Sequence, residues 1–345
     1  KSSFLLAARS TYSDWLLKML RDPDIRNSSA AFSDGILNLS FQLDNENHLG
    51  IFAYGSKDRF QLSDIFDHDY YNLGSSVSWR HIFDNKHALN LSYVYAQYGF
   101  SEKNQELDLA AFKQTFQLDH HQFNAQYSLK NTGDHDIKFG INTTYYMINR
   151  GDYIPAGPES SVQKTSFEPE NALETGIFAG DQWQISKKFS LEAGLRLNYY
   201  AYLGPHKIYD YLPGEPMIPE NITDTLAYGS SKIIKSYNNI DYRFAANYTF
   251  NENLSLKASF NKLHQYIFLL SNSITISPTS IWKLSDPHIS PMHGDQFSLG
   301  IYKNIWGGQY ELSVESYYKK AGDLVEYKDG AEFTLNKFPE TDIIQ

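Results

Sequence analysis

Residues 174–202 read ETGIFAGDQWQISKKFSLEAGLRLNYYAY. Beyond the polar turn at Ser186, Lys187 and Lys188, one phase holds Phe189, Leu191, Ala193, Leu195, Leu197 and Tyr199. The other holds Ser190, Glu192, Gly194, Arg196, Asn198 and Tyr200. A period of two with one apolar and one polar face is a β-strand. The same spacing on a helix would spread the charges around every side. The unit recurs along the chain with other residues, always two long alternating strands joined by a short polar turn.

The 345 residues contain 26 Tyr and 22 Phe against 4 Met, a composition rich in strand formers. There is no Cys, which removes disulfides, thiolate metal sites and a thiol nucleophile together. A formal charge of -10, with no local Lys/Arg cluster, excludes nucleic acid as a partner. Apolar runs such as residues 4–8 and 266–270 fall far short of the roughly 20 residues a membrane helix needs. The opening at Lys1 has no signal-peptide pattern and predicts a chain that begins internally.

In order, strand 1 covers residues 2–12, and strands 2 and 3 flank the turn at 44–47. Strand 4, YYNLGSSVSWR, meets strand 5 across Asp84, Asn85 and Lys86, and strands 6 and 7 flank 131–136. The opening pair is strands 8 and 9, IDYRFAANYTF is strand 10, and LSLKASF is strand 11. Strands 12 and 13 flank Trp306, Gly307 and Gly308. Strands of 10 residues or so exceed the usual length in soluble sheets and suit a tilted crossing of a bilayer.

The connections sharpen the reading. Short turns are expected only after even-numbered strands, with long segments such as 151–170, 204–235 and 263–292 after odd ones. That predicts an all-β fold, an antiparallel transmembrane β-barrel with short periplasmic turns and long extracellular loops. Trp79, Trp183 and Trp306 each lie near a short turn and are expected to form an interface girdle; the plainer reading is three unrelated core tryptophans. Two irregularities stand out. Asp181 shares its phase with Ile177, Ala179 and Trp183, and the His120, His121 pair switches the apolar phase of strand 6. A β-bulge at each would restore the alternation.

Having these residues in view, the chain resembles the TonB-dependent receptors of Gram-negative outer membranes. FAGDQWQISKKFSLEAGLRLNYY is similar to that family's barrel hairpin: an aromatic residue, D-x-W, a basic turn and G-L-R, here Asp181, Trp183, Gly194, Leu195 and Arg196. KSSFLLAARSTYSDWLL resembles the first barrel strand, with Ala8 and Arg9 where two arginines are usual. Residues 259–304, with YELSVESYYKKAGDLVEYKDGA after them, resemble receptors of this type from Bacteroidota. The resemblance implies a barrel of about 22 strands, of which about 13 are read here. Residues 1–345 are thus expected to be an incomplete part of one barrel domain, without the plug domain or the C-terminal strands. An open edge in hydrocarbon would cost several kcal/mol per unpaired backbone group.

The resemblance implies TonB-energised uptake of a scarce or bulky nutrient, such as a siderophore, cofactor, oligosaccharide or peptide, with no enzymatic activity and no cofactor. It implies as partners outer-membrane lipid and lipopolysaccharide, the TonB-ExbB-ExbD complex through the plug, the small-molecule or oligomeric nutrient, and a surface lipoprotein as an optional companion. Glu192, Arg196 and Asn198 are candidates for the lumen wall, where the plainer reading is mutually paired filler. His264, Tyr266, Trp282 and His288 are loop candidates for ligand binding; the plainer reading is a folded cap packed on the rim. No metal spacing is present, and His120 and His121, being adjacent, point to opposite faces. Glu168, Glu170 and Glu174 suggest paired carboxylates, yet nothing nearby separates an acid from a nucleophile. The acidic groups Asp22, Asp24 and Asp64, Asp67, Asp69 do not have EF-hand spacing. Two alternatives stand beside the receptor: a passive porin-like barrel and a soluble all-β carbohydrate-binding module.

Overall fold

The computed structural model describes residues 1–63, 65–270, 280–328, 331 and 337–345. Asp64, the Asp24 side chain, and residues 271–279 of the candidate ligand loop lie outside the described residues. Among the described residues one antiparallel sheet has fifteen strands, thirteen of them in chain order along a single path, with the short Asp152–Pro155 and Thr165–Ser166 paired beside it. The thirteen are β1 (Ser2–Ser10), β2 (Ser29–Gln42), β3 (Asn47–Leu62), β4 (Phe66–Ile82), β5 (His87–Asn104), β6 (Phe112–Thr132) and β7 (His135–Asn149). β8 (Glu170–Ser186), β9 (Phe189–Leu203), β10 (Ile233–Asn251), β11 (Leu254–Gln265), β12 (Met292–Ile305) and β13 (Tyr310–Gly322) complete the path. β1 and β13 are its two edges. Shorter strands in the connections are named by range.

The two faces differ as the alternation predicts, with the apolar phase outward. On β9, Leu195 and Leu197 are 49% and 50% exposed, whereas Asn198 on the other face is 4% exposed. An exposed apolar belt on a long sheet is the reverse of a soluble fold and fits hydrocarbon outside. The loops fold back over the inner face at the end opposite the short turns. There Phe100, Phe116, Tyr146, Ile148, Tyr200 and Tyr202 form a core with Ile208, Tyr266, Ile281 and Leu284 from the connections.

The structure corrects three expectations. β3 and β4 are joined by residues 63–65 alone, so a long segment does not follow every odd strand. Both strands run further than their apolar alternation, because their outer parts alternate among polar residues. Arg59 bonds Asp67 at 2.8 Å there, and Lys57 lies 3.7 Å from Asp69. Nor is there a bulge at His120 and His121: the β5–β6 register is unbroken from Asn104↔Phe112 to His87↔Leu129. What changes is the surroundings. Below His121 the outward residues of β6 are Phe123, Ala125, Tyr127 and Leu129; above it they are Asp119 and Gln117, while Phe116 turns into the loop core. The switch falls about ten residues from the turn, the length of one bilayer crossing.

Asp181 likewise sits in unbroken register, opposite Ile137 and Ala193. Its outward carboxylate is held by His135 Nδ1 at 2.6 Å, and the imidazole stacks on Trp183 with 5.2 Å between centroids. The partner and the position near the turn make a bulge unnecessary.

The ladder between β10 and β11, in contrast, stops short. The β10–β11 ladder begins at Tyr242↔Lys262 and runs toward the turn. Above it β10 pairs only with β9, and β11 only with β12. Beyond Lys262, His264 and Tyr266 reach inward to Asp241 and Asn239, although they share parity with Phe260 on the outward face.

Candidate functional site

The inner wall carries a continuous chain of polar side chains across seven strands. Asn124 on β6 donates to Ser92 on β5 (3.1 Å) and accepts from Asn142 on β7. Arg196 on β9 donates to Asn142 (3.2 Å) and to Asn198 (2.6 Å), and lies 3.6 Å from Glu174 on β8. Asn198 donates to Asp241 on β10 (2.8 Å), whose other oxygen meets His264 Nδ1 on β11 at 2.6 Å. Gly176 makes room for the guanidinium, since a Cβ there would stand 2.2 Å from Arg196 Cζ. Low dielectric strengthens such a network only if every member is satisfied.

Toward the turns the wall opens into a recess of about 570 Å³ lined by Phe178, Gly180, Glu192, Gly194, Arg196 and Arg243. Gly180 and Gly194 pair directly, and Arg243 lies over this bare floor with Nε 3.6 Å from Glu192.

Toward the loops the wall is capped by a hairpin of Ile267–Leu270 and Ile281–Leu284. Lys283, 2% exposed, is its fixed point. The ammonium lies 2.6 Å from Asp286 Oδ2 and 3.1 Å from Glu170 Oε1. Glu170 also accepts the Leu284 amide (3.0 Å), and Asp286 accepts those of His288 and Ile289 (2.8 and 2.9 Å). Burial alone pulls the Lys283 pKa down, but the adjoining Asp286 and Glu170 outweigh it and hold it above the ordinary lysine value. Tyr200 and Tyr237 bind the cap from the wall, donating to the carbonyls of Ser285 and Asp286 (2.7 Å each).

Of the wall candidates, Arg196 and Asn198 lie in the polar chain, and Glu192 lies below it on Arg243. The four loop candidates do not share one surface. His264 is part of the wall chain; Tyr266, 2% exposed, stacks on Tyr200 at 4.7 Å and donates to Asn239 (3.0 Å). Trp282 is partly buried against the loop core, and His288 stands edge-on to Tyr211 at 5.7 Å. Trp79 is in the outward phase of β4, with its indole N–H on Asn47 Oδ1 at 3.1 Å. Trp183 is outward on β8, and Trp306, 74% exposed, is in the last turn itself.

Sequence reading missed Asp241, Asn142 and Lys283. Asp241 read as the polar start of an apolar strand, and a lone Lys in a loop gives no signal of two buried carboxylates. Among the acids of 168–174, Glu168 accepts the Lys207 amide (2.7 Å), Glu170 holds Lys283, and Glu174 accepts from Tyr146 (3.1 Å). Each is structurally engaged. The wall offers fixed guanidinium, amide, carboxylate and imidazole groups to whatever fills the interior.

The profile of the TonB dependent receptor-like, beta-barrel family matches residues 7–336. No curated protein matches the chain in sequence. Among solved structures it is similar to the ferric-catecholate import receptor Fiu from E. coli K12, with TM-score 0.63, 12% identity, and coverage of 95% of this chain and 55% of that one. It is also similar to the Serratia marcescens hemophore receptor HasR, solved with its hemophore HasA and heme (0.63, 14%, 94% and 51%). A third is the ferripyoverdine receptor of the Pseudomonas aeruginosa outer membrane, bound to ferripyoverdine (0.63, 12%, 95% and 45%). The chain thus spans about half the length of these receptors. From the profile match, the chain belongs to the TonB-dependent receptor β-barrel family, a family of the cell outer membrane.

Proposed function

We propose that the protein is a receptor and transporter that takes up a scarce or bulky nutrient across the outer membrane with energy delivered through TonB, and that it is not an enzyme. The observation that carries this is the pairing of an outward apolar belt with an inner polar wall capped by an inward-folded, buried hairpin. Residues 1–345 act as part of one barrel domain, working with a plug domain that the TonB-ExbB-ExbD complex engages. Arg196, Asn198 and Glu192 shape the lumen wall, and Trp79, Trp183 and Trp306 form the girdle on the side of the short turns. His264 and Tyr266 anchor the cap, leaving Trp282 and His288 as its ligand-facing candidates. The neighbours are receptors for ferric catecholate, heme on a hemophore and ferripyoverdine, and a copper transporter, so iron chelates, heme and copper head the panel to test, with oligosaccharides and peptides after them.

The test is uptake by whole cells carrying the intact receptor, with and without TonB. Uptake of one panel member that needs both the receptor and TonB is expected. Uptake at the same rate without TonB would show a passive barrel instead.

A further inference from the structure

Near the rim two histidines meet across a ladder: His264 on β11 is the direct register partner of His293 on β12. Their ring centroids lie 6.1 Å apart, with 38° between the planes. Each ring has its own carboxylate at Nδ1. His264 Nδ1 is 2.6 Å from Asp241 Oδ1, and His293 Nδ1 is 3.1 Å from Asp323 Oδ2. An ionised carboxylate only accepts, so in the neutral rings Nδ1 carries the proton and Nε2 keeps its lone pair. Neither Nε2 has a hydrogen-bond partner among the described residues. Gly322, paired with His293 on its other side, leaves that nitrogen open, since a Cβ there would stand 2.7 Å from it.

Metal-binding imidazoles use this arrangement: a carboxylate fixes the tautomer, orients the ring and raises the basicity of the far nitrogen. The polar chain of the wall ends at His264 and gives no reason for His293 and Asp323. The spacing fits a metal. An ion about 2.0–2.1 Å from each Nε2 puts the centroids of two ligating imidazoles roughly 5–6.5 Å apart, and 6.1 Å falls in that range. The height fits as well. His264 is ten residues beyond the start of β11 at Leu254, and a bilayer crossing takes about 9–11, so the pair stands at the aqueous edge of the hydrocarbon. The His264 side chain is 9% exposed and that of His293 32%, so an ion arrives from the His293 side. Among the described residues no group of three or more His, Cys, Asp or Glu could hold a metal. The pair therefore fills two positions, and the ion's other donors come with it.

We propose that His264 and His293 bind a first-row divalent transition cation through their Nε2 atoms, with Asp241 and Asp323 as positioning residues. The ion is one with exchangeable positions, aquated or weakly chelated; a saturated chelate has none to give to imidazole. Cu²⁺ should bind more tightly than Zn²⁺, the general order for nitrogen sites. The inference concerns binding at the rim and asks nothing of TonB, so it and the transport reading fail separately.

The test is calorimetric titration of the intact purified receptor with Cu²⁺, with Zn²⁺ and with Cu²⁺ saturated by EDTA, together with pulsed EPR on the copper form. Expected are one saturable Cu²⁺ site with the modulation of two imidazoles, weaker Zn²⁺ binding and no binding of the EDTA complex. D323N should keep both imidazoles and weaken Cu²⁺ about 10–100-fold. H293Q should weaken it more and leave one imidazole in the EPR signal. H87Q/H135Q, which removes two other histidines with acidic neighbours, should change nothing. One imidazole in the unmodified receptor, unchanged affinity in H293Q or D323N, or equal loss in H87Q/H135Q would each overturn the proposal. So would binding of the EDTA complex as tight as that of free Cu²⁺. His293 and Asp323 lie outside the wall chain, so their variants test the site even where H264Q unsettles the rim. Whole-cell uptake reports separately on transport.

Discussion

Replacing Lys283 with Met tests whether the cap is held by its buried ion cluster. The substitution keeps the length of the side chain and removes only the ammonium, leaving Glu170 and Asp286 as buried carboxylates without their counter-charge. Removing one partner of a buried pair costs about 3–5 kcal/mol. The thirteen-strand ladder does not depend on this contact, so the loss should fall on local opening of the cap and not on the sheet. At about 1.4 kcal/mol per decade, amide exchange through that opening should speed up by roughly 10²–10³-fold or more. The reporters are the amides of Leu284, Ser285 and Ile289, bonded to Glu170, to the Tyr266 carbonyl and to Asp286 at 3.0, 2.9 and 2.9 Å. Hydrogen exchange read by mass spectrometry on the intact receptor resolves them from β8 and β9. E170Q/K283M should recover part of the loss, because one stranded charge is neutralised. Unchanged exchange in K283M, or a uniform rise along β8 and β9, would refute the idea of a local ionic anchor.

The same lysine sets a pH dependence. Its folded pKa is raised, so its contribution is complete below the ordinary lysine value of about 10.4 and disappears as pH climbs through the raised one. Cap protection attributable to Lys283, taken as the difference from K283M, should therefore stay flat from about pH 7 to 10; a decline beginning near pH 8 would contradict it. At Gly176, alanine should cost about 1–2 kcal/mol by displacing Arg196. In an Arg196→Ala background the same change should cost under half as much, and equal costs in urea titrations of both backgrounds would remove Arg196 from the explanation. In single-tryptophan variants, brominated lipids should quench Trp79, Trp183 and Trp306 most strongly when the bromine lies near the headgroup. Strongest quenching from the bilayer centre would end the girdle assignment for that residue.

Much of the wall was legible because its cause is local. Alternation in 174–202 gives both the strands and their faces, and Asp84 to Lys86 or Lys187 and Lys188 give the turns. The extents of β3 and β4 were not legible, since apolar alternation stops where the outward environment becomes aqueous. At Asp181 and at His120, His121 a break in hydrophobicity is not a break in register: it marks a polar partner in one case and the membrane boundary in the other. The cap was illegible because its bonds are long-range. Glu170 and Leu284 are 114 positions apart, and no pattern within either segment encodes the meeting. His264 escaped its loop assignment by the turn of β11 past Lys262, which depends on where the neighbouring ladder ends.

That end point has a mechanical meaning. From Ile233 to Asp241, β10 has a strand partner on one side only, so its other flank is a slit in the upper wall, bridged by His264 on Asp241, Tyr266 on Asn239 and Tyr237 on the Asp286 carbonyl. A slit within the hydrocarbon would strand peptide groups at several kcal/mol each. This one opens nine residues above the start of β11 at Leu254, near the height at which water can take over those bonds. The unpaired backbone is thus confined to the rim, while the β10–β11 ladder is continuous from Tyr242↔Lys262 down to the turn, over the height that hydrocarbon covers.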